Sequence, residues 1–180
     1  MIYVGNSNKN SIFTGSKAPE IFSGGVKIYP TKQEIVLFNG QTGEGQINTS
    51  LYGGFINNET SYGSSITYTN DSIILRSVGE NTSGTYQPSM GSVKQIDFTD
   101  VDKVIVNVKH VWKSHPSYYQ NVVINRSRNA YHALAGIHLT EGQVYLDTSN
   151  IDGLYYLVFS GYTDQNIMTT IDYISLLKKM

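Results

Sequence analysis

Fourteen carboxylates and four histidines are the residues of this 180-residue chain with the most obvious capacity for chemistry. Hydrolysis of a glycosidic bond needs two carboxyl groups at a set separation, one of them kept protonated. Asp71, Asp102, Glu141 and Asp152 fall instead in turn-like contexts, where Asp and Glu serve backbone hydrogen bonds. Asp97, Asp100 and Asp102 could gather around a calcium ion, which takes six to eight oxygen ligands, but acidic residues entering a strand ordinarily solvate a turn. His132 and His138 share a strand face, yet six residues of extended chain set them about 20 Å apart, too far for one metal ion. His110 and His115 lie on another segment. There is no cysteine, hence no disulfide, thiolate ligand or thiol nucleophile. The chain also lacks G-x-S-x-G, H-E-x-x-H, a phosphate-binding glycine loop and the kinase motifs. No catalytic residue, metal ligand or cofactor is therefore assigned.

Binding asks for less than catalysis. Aromatic faces stack on apolar surfaces, amides and charges bond hydroxyls, and a rigid sheet holds both. With 14 Tyr and only 15% charged residues, the chain is rich in such groups. Placing the more apolar residues of each strand inward gives Ile73/Leu75, Val104/Val106/Val108, Tyr118/Val122/Ile124, Tyr131/Ala133/Ala135/Ile137 and Leu157/Phe159. The opposite faces then carry Arg76, Asn107, Lys109, Tyr119, Asn121, His132, His138, Tyr156 and Tyr162. If their strands share a sheet, these nine form one ligand-binding platform. Trp112, ending a Val-lined face with His110, is expected as a core lid.

The strands that must position these groups follow from period-two alternation. Residues 66–68 and 73–75 flank Asn70-Asp71 as a hairpin. A long strand runs through 103–113, followed by 117–125, 131–139, 143–146, 154–162 and 169–177. Seven or eight such strands predict an antiparallel sandwich over 31–180, because a single sheet cannot cover its own apolar face.

Residues 92–106 and 144–157 resemble strand passages of jelly-roll modules, a type found among carbohydrate-binding domains and C-terminal regions of phage tail proteins. The resemblance implies architecture and carries over no binding residue. The expected fold class is thus all-β, an antiparallel β-sandwich of jelly-roll type preceded by a short β-hairpin repeat.

That repeat occupies residues 1–30. Ile2-Tyr3-Val4-Gly5-Asn6, Ile12-Phe13-Thr14-Gly15-Ser16 and Ile21-Phe22-Ser23-Gly24-Gly25 begin ten and nine residues apart, with an echo at Ile28-Tyr29. The spacing suits one short strand and one tight turn per copy. Such tandem runs resemble segments of tail and baseplate proteins from bacteriophages and prophages of Gram-positive bacteria. This implies a virion protein attached to other tail proteins through residues 1–30, binding a host surface polysaccharide, and assembled as a homo-oligomer, with a trimer expected. A purely architectural or decorating virion subunit is the alternative, and a surface-glycan-degrading enzyme the third.

The composition is consistent with these expectations. A net charge of −1 and only three Arg offer no field for nucleic acid. No run is long and apolar enough for membrane insertion, and the start has no signal-peptide pattern, which fits assembly in the host cytoplasm.

Overall fold

A computed structural model describes residues 22–23, 26–27, 32–40, 53–57, 65–69, 71–78, 89–161 and 166–179. The chain divides into two units, residues 1–31 and 32–180. Of the first, two short strands are described, β1 (Phe22–Ser23) and β2 (Val26–Lys27), paired antiparallel. The rest of the repeat lies outside the described residues.

Among its described residues the second unit holds twelve strands: β3 (Lys32–Phe38), β4 (Phe55–Asn57), β5 (Ser65–Tyr68), β6 (Ile73–Ser77), β7 (Ser89–Ser92), β8 (Ile96–Asp97), β9 (Val101–Lys113), β10 (Asn121–Asn125), β11 (Ala135–His138), β12 (Gly142–Asp147), β13 (Leu154–Ser160) and β14 (Ile167–Lys179). They form two antiparallel sheets. Sheet I runs β11-β10-β13-β7-β4, with β8 also on β13; sheet II runs β12-β9-β14-β6-β5, with β3 also on β14. No helix occurs among the described residues, and the all-β two-sheet sandwich is the expected fold class.

The core lies between the sheets because each strand turns one apolar set toward the other sheet. Val104, Val106 and Val108 of β9 meet Leu157 and Phe159 of β13 and Val122 and Ile124 of β10 in one cluster, completed by Ile171, Ile174 and Leu176 of β14. Phe55 and Phe159 pack edge to face at 5.1 Å between ring centres, the arrangement their ring quadrupoles favour. The expected inward sets of β6, β9, β10 and β13 are those observed. Tyr118 differs: it is half-buried in the loop before β10.

Three further expectations need correction. The strand expected over 131–139 is only Ala135–His138, and Ala133 and Leu134 are exposed. Residues 126–134 instead cross the outer face of sheet I. Asn125 Nδ2 anchors them by donating to the carbonyls of Asn129 and Tyr131, each at 2.7 Å. Ser89 Oγ donates to the Arg128 carbonyl, and Arg128 Nη2 donates to the Val93 carbonyl at 2.7 Å. Val123 and Val158, paired on that outer face, are buried.

The second correction concerns β9. Its pairing with β14 shifts between Thr170↔His110 and Ile171↔Val108, so Lys109 is an extra residue in β9; it shifts back between Ile171 and Tyr173, where Asp172 is extra in β14. Each bulge reverses the alternation of its strand. Val111 therefore packs on the core in place of His110. Trp112, the third correction, is 50% exposed rather than a core lid.

Candidate functional site

The two bulges lie beside the point where β14 changes partners. β6 pairs with Ile167–Ile171 and β3 with Ile174–Lys179, leaving Asp172 and Tyr173 between them without a neighbour on that side. The opening forms a polar groove of about 440 Å³, lined by Asn39, Gly40, Asp71, Asn107, Lys109, Gln143, Asp172 and Tyr173. That volume falls within the ~300–1,000 Å³ range of ligand pockets.

Each wall residue is placed by a local cause. Gly40, with φ +62°, lets the end of β3 turn sharply against its neighbours. A Cβ there would lie 2.4 Å from the Asp71 carbonyl oxygen and 2.8 Å from that of Asp172, so only glycine fits. Asp71 is set by the β5–β6 turn, closed by Thr69 N donating to the Ser72 carbonyl at 2.8 Å. Thr69 Oγ1 and Ser72 Oγ both donate to Asp71 Oδ1. Asn107 Nδ2 donates to Asp172 Oδ1 at 2.7 Å, which joins the two bulged strands across the groove floor.

The charges are partly matched. Lys109 Nζ meets Asp71 Oδ2 at 2.8 Å, and this contact holds the carboxyl below its usual range and the ammonium above its own. Both side chains are more than half exposed, so the pair contributes orientation more than stability. Burial, followed by the hydrogen bond to Glu34, raises the Tyr173 phenol. Its hydroxyl donates to Glu34 Oε1 at 2.9 Å, beside Ser175 Oγ at 2.6 Å. Asp71 and Asp172 against Lys109 leave the groove one negative charge in excess.

An aromatic ring stands beside the groove. Tyr145 of β12, two residues along from Gln143 and so about 7 Å away, is 49% exposed, and its hydroxyl donates to Gln143 Oε1. On the other side of the bulges, His110 Nδ1 and the Val111 amide both meet Glu141 Oε1, at 2.8 and 3.0 Å.

Of the nine predicted platform residues, the eight that are described divide between two faces that point away from each other. Arg76, Asn107 and Lys109 belong to sheet II, and the last two line the groove. Tyr119, Asn121 and His138 come together at the β10–β11 edge of sheet I: the Tyr119 and His138 rings lie 4.0 Å apart between centres, and His138 Nδ1 is hydrogen-bonded to Asn121 Oδ1. His132 is exposed in the crossing segment with φ 56°. Tyr156 lies beneath that segment, its ring 5.1 Å from the Arg128 guanidinium carbon. Tyr162 lies outside the described residues.

Asp71, Gln143, Tyr145, Asp172 and Tyr173 were not among the predicted residues. Their signal is a break in alternation, two polar residues between apolar ones at Val108-Lys109-His110-Val111 and again at Ile171-Asp172-Tyr173-Ile174. Among the described residues no three His, Asp or Glu side chains gather to hold a metal. Asp97 accepts from the amide and hydroxyl of Thr99, at 3.0 and 2.7 Å.

No family model matches the chain, and neither does any curated protein. Among solved structures it is similar to two family 29 carbohydrate-binding modules, one of them a mutant made to probe ligand recognition. Both align with TM-score 0.46 at 14% identity, over 81% of this chain and 91% and 88% of theirs. It is also similar to part of a glycosylation-associated protein complex from Streptococcus agalactiae, with TM-score 0.44 at 12% identity, over 84% of this chain and 26% of that one.

Proposed function

We propose that this chain binds a polysaccharide, without chemical change, through the outer face of sheet II. The observation that carries the reading is the bulge-built groove with Tyr145 beside it. Asn107, Gln143, Asp172 and Lys109 present amide, carboxylate and ammonium groups to hydroxyls, while the exposed ring offers a stacking surface for a sugar. Lys109 holds Asp71 ionised, so Asp71 lacks the retained proton that a glycosidic general acid needs.

The finer part of the proposal is a virion protein of a phage or prophage. Residues 1–30 attach it to a tail, and the sandwich meets a host surface polysaccharide. Its support is the tandem I-[YF]-x-G repeat and the resemblance that the repeat carries. A homo-oligomer, of three copies in this proposal, would convert weak single-site binding into avidity of order 10²- to 10⁴-fold. A second reading, an architectural subunit that buries its outer surface against neighbouring copies, is favoured by the exposed apolar residues of and before edge strand β11, Leu134 at 47% and Ile137 at 37%.

The experiment is binding of the full chain to purified Gram-positive cell walls and to an array of neutral polysaccharides. Tyr145→Ala and Asn107→Ala are each expected to weaken capture about tenfold, roughly 1.4 kcal/mol, with little change in melting. Wild-type capture by neither walls nor array, or capture by both variants equal to that of the wild type, rejects the reading.

A further inference from the structure

Beyond the Lys109 bulge, the outer face of sheet II carries a second row of side chains. Trp112 of β9 pairs with Met168 of β14, which pairs with Arg76 of β6. Alternation sets all three away from the core: Met168 lies between buried Ile167 and Thr169, and Arg76 between buried Leu75 and Ser77. The strand spacing puts Trp112 and Arg76 about 10 Å apart, with the thioether between them.

Charge separates this row from the groove. Lys109 is matched by Asp71 and His110 by Glu141, while Lys113, at the end of β9, donates to the Pro116 carbonyl at 2.7 Å. Arg76 is exposed and pairs with no carboxylate among the described residues. The row therefore combines a half-exposed indole face, an apolar bridge and a guanidinium with no carboxylate partner among the described residues. The ring suits the C–H face of a sugar, and the guanidinium's forked donors match a carboxylate or phosphate two oxygens at a time. Lys109 cannot substitute for it, because its charge is already spent.

We infer that the Trp112–Met168–Arg76 row is a second binding element that takes an anionic sugar unit, one bearing a carboxylate, phosphate or sulfate, of the chain seated in the groove. The inference rests on the polysaccharide reading of this face and adds the ligand's charge. The bulge has a direct part in it, since unbroken alternation would have buried Trp112.

The test uses the full chain and polymers differing only in charge: polygalacturonate with its methyl ester, phosphomannan with its dephosphorylated form, and chondroitin sulfate with its desulfated form. Wild type is expected to bind the acidic member of at least one pair about tenfold tighter, a preference that shrinks as salt is raised. The pair that responds identifies the anionic group. Arg76→Ala should remove the preference and leave binding of the neutral member unchanged; Arg76→Lys should keep part of it. Equal binding of both members of every pair, or a preference that survives Arg76→Ala, overturns the inference and leaves the polysaccharide reading intact. Binding of no polymer in the set and of no cell wall overturns both.

Discussion

The two outer faces of the sandwich begin from the same strand logic and end differently. Each presents the residues left over when the apolar set turns inward. On sheet I the chain returns across its own face through residues 126–134, Arg128 stands over Tyr156, and Val123 and Val158 are buried on that face. On sheet II two bulges and a change of strand partner open a polar groove. Alternation decides which way a side chain points; what lies over it is decided by segments distant in sequence.

The largest perturbation would erase both faces together. Val106 is fully buried between Val144 and Ile174, so Val106→Asp places an unpaired charge in the shared core and should cost about 4 kcal/mol or more, enough to abolish cooperative denaturant unfolding. Gly40→Ala separates the faces. Left-handed φ and overlap with two carbonyl oxygens should cost about 2–3 kcal/mol in chemical denaturation and weaken polysaccharide capture, while the packing over Val123 stays as it is.

Arg128→Ala is the converse. Losing the hydrogen bond to Val93 and the contact with Tyr156 should cost about 1–3 kcal/mol and raise hydrogen exchange in β10 and β13, with no change in binding. If binding falls, the faces are coupled and the contrast between them is weaker than drawn here.

The smallest effect is acidic. Lys109 depresses the Asp71 carboxyl, so the pair's contribution is present at neutral pH and is lost as pH falls through the lowered folded value. Lys109→Ala should flatten that part of the stability profile slightly below the ordinary carboxylate range, as read by melting at successive pH values. An unchanged acid limb would show the pair to be orientational only.

Much of the frame was legible in the sequence. The first half of β9, the β5–β6 hairpin and the inward sets of β10 and β13 follow from period-two alternation. β7, Ser89–Ser92, was not legible, because Ser-Met-Gly-Ser has no apolar rhythm although all four residues are buried. The crossing segment was misread as strand because Tyr131, Ala133 and Ala135 alternate by chance, while Asn125 gathers the carbonyls of Asn129 and Tyr131 into a loop. Of the groove, Asn107 and Lys109 were found. Their partners were missed because a one-residue bulge leaves only a polar doublet as its trace, and because Gly40 and Asp71 reach the site from other strands.

The paired bulges also have a genetic meaning. β9 and β14 keep matching register on either side of the Lys109 and Asp172 positions because each strand carries one additional residue, and the two offsets cancel. Two codons thus separate this protein from a sandwich whose β9–β14 register runs unshifted from Ile167 to Leu177 with the same inward-facing residues. A lineage could gain or lose the groove through a pair of short in-frame insertions or deletions, without altering a codon for the hydrophobic interior.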